Sequence, residues 1–149
     1  MGDKTARWKE LARIAELKAA KAKHDATLAE NIVEESAANR RHLQQAFNES
    51  DPSKISAPGQ STSHFALSNS FAFGNSLTKM LHSNLPRHQQ LQRVAAQKAE
   101  VCKQQQLKQK NTEQRAQEIT VEAEVQSQKK EDQRLLEQIV AQQQYRSRS

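Results

Sequence analysis

The sequence predicts an all-α protein: a long antiparallel two-helix coiled-coil hairpin whose second helix is the longer. Three observations carry this. Its 149 residues include only three Gly and three Pro, and two of each fall between Pro52 and Gly74. Roughly a quarter of the residues are Ala or Gln, and Lys, Arg and Glu fill much of the rest, a mixture that favours long helices. Apolar residues recur in steps of three and four, the mark of a helix with one sticky face. Hydrophobic residues make up 35% and aromatics 4%, with mean hydropathy −0.95, too little for a thick globular core. Sparse strand formers and the absence of a Gly-rich phosphate loop argue against all-β and α/β folds.

The first helix is expected over about residues 4–50. Asp3 and Thr5 are candidate N-caps, since their side-chain oxygens accept from free first-turn N–H groups. The apolar face reads Trp8, Leu11, Ile14, Ala15 and Leu17, then Leu28, Ile32 and Val33, then Leu43 and Phe47. Between Lys18 and Ala26 it is weak: alanines there allow close helix approach but bury little area. A continuous helix of this length would be about 70 Å long.

A connector follows over about 51–69. Asp51-Pro52 and Ala57-Pro58-Gly59 are turn signals, because Pro fixes φ and Gly tolerates positive φ. The surrounding Ser and Thr compete for backbone hydrogen bonds. The second helix is expected over about 70–144, with a basic tail at 145–149. Phe73, Leu77, Met80, Leu81 and Leu85 define its first face, and Pro86 predicts a kink. The pattern resumes at Leu91, Val94 and Val101. It then thins, with Lys108, Thr112 and Arg115 where apolar groups are wanted, and partly returns at Ile119, Ala123, Leu136, Ile139 and Val140. One helical-hairpin domain spanning 1–149 is the expectation.

No catalytic constellation is visible. His24, His42, His64, His82 and His88 are scattered, without the i, i+4 spacing and neighbouring carboxylate of a metal site, and no cofactor is expected. The single Cys102 has no internal disulfide partner, which fits a reducing compartment. No apolar run reaches the roughly 18 residues of a membrane span, so a cytoplasmic protein without membrane insertion is expected. The formal charge of +6 suits an anionic partner. Arg87 to Arg115 holds seven basic and two acidic residues, the best nucleic-acid signal present, but without interleaved aromatics for base stacking.

Phe73, Leu77, Met80 and Asn84 share one helical face, either packing on helix one or docking a partner near the bend. This layout resembles the flagellar FliJ and type III secretion YscO family. A breaker-free first helix and a Gly-bearing connector lead into Phe73-x-x-x-Leu77-x-x-Met80 and then His88-Gln-Gln-Leu91. The resemblance covers nearly the whole chain in layout, with residues 71 to 91 its most specific part. It implies a non-enzymatic bacterial export component, similar to the central stalk of a rotary ATPase. The implied partners are a hexameric export ATPase, the cytosolic domain of the export gate, and export chaperones. Carried onto this sequence, the gate-facing residues are Leu43, Phe47, Phe73, Leu77 and Met80. The ATPase end pairs Trp8, Leu11 and Ile14 with Leu136, Ile139 and Val140. Two alternatives stand beside this one. One is a basic coiled coil binding nucleic acid or a ribonucleoprotein; the other is a homodimeric scaffold whose seam pairs between chains.

Overall fold

The computed structural model describes residues 2–50 and 64–148. Helix α1 spans Gly2–Glu49 and helix α2 spans His64–Arg148. Among the described residues there is no strand, and the two helices pack against each other as an all-α helical hairpin. The second helix is the longer, 85 residues against 48.

The expected boundaries of the second helix need two adjustments. The part of the connector at 51–63 lies outside the described residues, but residues 64–69 are helical. Ser-rich sequence there suggested competition for the backbone. Instead Ser70 Oγ donates to the carbonyl of Ser50 across the bend, so it does not compete for its own helix. At the other end α2 runs on to Arg148, with Arg146 and Arg148 in its last turn. Cations there complement the negative end of the helix dipole. As its expected span required, α2 continues through Pro86. Pro86 is exposed, and so is His82, whose carbonyl loses its donor, so the break falls where solvent can serve it.

The chain forms two compact units, Met1–Lys21 with Lys103–Ser149, and Ala22–Cys102. In the second unit Ser36 Oγ lies 2.8 Å from His88 Nδ1, and Arg40 donates to the carbonyl of Leu81 at 3.3 Å. Residue numbers therefore rise along α1 as they fall along α2, and the pairing is antiparallel. A heptad series of buried or half-buried positions runs along each helix. On α1 they are Ala22, Ala26, Ala29, Val33, Ser36, Arg40 and Leu43. On α2 they are Ser70, Gly74, Leu77, Leu81, Asn84, His88, Leu91 and Ala95. Among the described residues of this unit, Ala22, Ala26, Ser70 and Leu77 are the buried ones.

The first unit is built the same way. Thr5 shares a recess with Ile119 and Ala123, while Trp8 and Ala15 share another with Gln105 and Thr112, again antiparallel. Ala19, Ala116 and Ile119 are buried. The consecutive inward positions of α1 from 12 to 29 are thus all alanine: Ala12, Ala15, Ala19, Ala22, Ala26 and Ala29. This is the stretch that the apolar pattern marks as weak. Small side chains carry little transfer energy but let backbones approach, so the contact relies on close packing.

Candidate protein-docking surfaces

An alanine seam leaves the larger apolar residues elsewhere. Leu11, Ile14, Leu28 and Ile32 occupy a second row of α1, beside the seam, and all four are exposed. On α2, Phe73, Met80, Val94 and Val101 fall at multiples of seven residues on a row flanking the seam, with the exposed Arg87 between Met80 and Val94; Val94 is half-buried and the others exposed. Helical periodicity alone cannot separate a row of small residues from an adjacent row of large ones. Size favoured the large row, whereas the helices pair through the small one.

The residues expected to face a partner near the bend divide accordingly. Leu77 is 4% exposed and belongs to the seam, with half-buried Leu43 opposite it on α1. Phe73 and Met80 are each 52% exposed and lie outside it. Phe47 sits at the border and lines, with Phe71, Gly74 and Ser70, a recess of about 350 Å³ beside the bend.

The residues expected at the ATPase end are not brought together. The first turns of α1 meet residues 119–126, and Trp8, Leu11 and Ile14 lie against Gln105, Lys108 and Thr112. Leu136, Ile139 and Val140 fall beyond the start of α1, in a part of α2 exposed at every residue from 124 to 148. Trp8 is half-buried, while Leu136 is among the most exposed large apolar residues.

The second unit also carries a polar layer within its seam. Ser36 and His88 pair, Arg40 reaches Leu81, and Asn84 Oδ1 is buried without a hydrogen-bond partner. Polar groups at seam positions cost stability and penalise any shifted pairing, which would strand them. The half-buried His88, singled out as part of the His88-Gln-Gln-Leu91 stretch, thus has a structural partner.

The basic stretch does not form one face. Arg87, Lys108 and Arg115 share a row flanking the seam, Lys103 and Lys110 lie on another, Arg93 on the outer side and Lys98 at a seam position. Arg115 is tied to Glu118 at 3.1 Å. Among the described residues no three His, Cys, Asp or Glu side chains gather to hold a metal ion. Among those residues, too, no helix is long and apolar enough to cross a membrane. No family model, curated protein or solved structure matches the chain.

Proposed function

We propose that this chain is a non-enzymatic helical adaptor whose exposed apolar rows dock onto partner proteins. The observation that carries the reading is the division of labour along its helices. Alanines fill the α1 side of the contact from 12 to 29, with Leu77 and Ile119 buried on α2, while Leu11, Ile14, Leu28, Ile32, Phe73 and Met80 face outward. Scattered exposed apolar residues are ordinary, but rows of them at helical spacing mark interaction surfaces.

The apparatus this fits best, through the resemblance of its layout, is a bacterial flagellar or type III protein export system. There the chain would act in the cytoplasm as the central stalk of the hexameric export ATPase, and as adaptor to the export gate and export chaperones. Phe73 and Met80 would meet the gate. Trp8, Leu11 and Ile14 would form one ATPase contact, and Leu136, Ile139 and Val140 a separate one. The exposed end of α2 suits entry into a ring, because a single helix is only about 10–12 Å across. A nucleic-acid role has less support, since the basic residues of Arg87–Arg115 are spread around the helix.

Binding of the purified chain to the export ATPase and to the gate's cytosolic domain tests this. Phe73→Ala with Met80→Ala should weaken gate binding at least tenfold while the melting temperature holds. Leu136→Ala with Ile139→Ala should spare the gate and weaken the ATPase contact. If neither domain binds the native chain, the export reading is wrong.

A further inference from the structure

Within the first unit, the row of α1 beside the seam reads Lys4, Arg7, Leu11, Ile14, Lys18 and Lys21. Its steps of three and four keep all six on one side of the helix. Two aliphatic residues are thus bracketed by two cations at each end. Leu11 and Ile14 are 42% and 39% exposed, and the four cations are exposed as well. On this side Trp8, Leu11, Ile14 and Lys18 line a recess of about 280 Å³ together with Lys108 of α2, and among the described residues no acidic side chain lines it. Among those residues, too, Lys4, Arg7, Lys18, Lys21 and Lys108 form no ion pair. The acidic residues of this side lie toward its far end, where Glu122 shares a separate recess with Lys4 and Glu118 is held by Arg115.

We propose that this groove seats an amphipathic helix of another protein whose flanks are acidic. The aliphatic face of that helix enters the recess over Trp8, Leu11 and Ile14, as an apolar helix face lies in a groove. Its carboxylates meet Arg7, Lys18, Lys21 and Lys108. Charge selects this occupant. A helix without carboxylates would take those cations out of water and leave them unpaired. A second copy apposed through the same row would set cations against cations, which like-charge repulsion opposes. Duplex DNA would meet the cations, yet phosphates and sugars give Leu11 and Ile14 no apolar cover. Two aliphatic side chains are also too few to hold a bilayer, since attachment scales with the apolar area inserted.

The proposal rests on the adaptor reading, in which Trp8, Leu11 and Ile14 dock a protein, and adds the chemistry of what docks there. Trp8 is the single tryptophan of the chain and lines the recess, so its emission reports occupancy at this place. The purified full-length chain is titrated with a synthetic, tryptophan-free helical peptide that carries Leu in steps of three and four and Glu on both flanks. Emission from Trp8 should move to shorter wavelength and saturate, because aliphatic groups replace water around the indole. The same peptide with Gln in place of Glu should bind about tenfold more weakly or worse.

Two charge-reversed variants locate the contact. Lys18→Glu with Lys108→Glu should weaken the acidic peptide about tenfold or more, and should instead bind a peptide with Lys in place of Glu. Lys103→Glu with Lys110→Glu makes the same change in net charge on another row of α2 and should alter affinity about threefold or less. Circular dichroism checks that both remain helical. Equal losses from the two variants would mean that net charge rather than this groove attracts the peptide, and would overturn the proposal. A Gln peptide bound as tightly as the Glu one overturns it while leaving the adaptor reading in place. A native chain that binds neither peptide removes both readings at this site. Vesicles of phosphatidylserine and phosphatidylcholine, or duplex DNA, shifting Trp8 emission at lower concentration than the acidic peptide would displace the helix as occupant and overturn the proposal too.

Discussion

Gly74 lies in the interior of α2, where glycine costs helix stability because its backbone has more freedom to lose. It is also a seam position beside the bend, where a close approach would require it. The space around it decides between these readings. Among the described residues, a Cβ added there would meet only Ser50 Oγ, at 3.8 Å, an ordinary contact. Gly74→Ala should therefore raise stability by about 0.5–1 kcal/mol, measured by thermal unfolding; a loss would mean that the bend needs the bare backbone. Leu77 and Met80, three residues apart, should respond in opposite fashion. Leu77→Ala empties a buried seam position and should cost about 2–5 kcal/mol. Met80→Ala removes a side chain that is half in solvent and should change stability by about 0.5 kcal/mol or less. Equal effects would place both on the seam.

For the helices themselves, the sequence announced much of the outcome. Two long breaker-free segments, Pro52, Pro58 and Gly59 between them, and steps of three and four were enough for an all-α hairpin with a longer second helix. The pairing surface was less legible. Leu11, Ile14, Leu28 and Ile32 outweigh Ala12, Ala15, Ala26 and Ala29 on any hydrophobicity scale, yet the alanines face the partner helix. What favours them is geometry: an unbroken small row permits an approach that branched side chains would block. Similarly, Leu136, Ile139 and Val140 were expected opposite Trp8, Leu11 and Ile14, because both sets sit near chain ends. The position of the bend sets the pairing: the first turns of α1 share a recess with residues 119–126, and Leu136, Ile139 and Val140 lie beyond it. Removing residues 127–148 should accordingly change the unfolding free energy by about 0.5 kcal/mol or less, while helical ellipticity falls with the residues lost. A large loss of stability would show that this part of α2 supports the hairpin.

At the scale of the whole molecule, net charge and surface pattern give different expectations. A charge of +6 attracts any polyanion. Specific nucleic-acid binding needs those charges along one path, and Arg93, Lys98, Lys103 and Lys108 occupy four different sides of α2. Duplex DNA should be bound only weakly, with a dissociation constant near about 10⁻⁴ M at physiological salt and a shallow salt dependence. Submicromolar binding whose affinity falls steeply with salt would restore the nucleic-acid reading and weaken the adaptor one.

The alanine seam has a calorimetric consequence. Heat capacity rises on unfolding because apolar surface enters water, by about 12–15 cal/mol/K per residue in ordinary globular domains. Among the described residues the buried hydrophobic ones are four alanines, one leucine and one isoleucine, and most of the other large aliphatic groups already meet solvent in the folded state. Much of the enthalpy of melting must come from helix hydrogen bonds and close contacts. The heat-capacity step should fall well below the usual range, and the curve of stability against temperature should be flatter than that of a protein with a conventional core. Cooling would then erode such a fold little, because the force that weakens in the cold contributes little to holding its helices together.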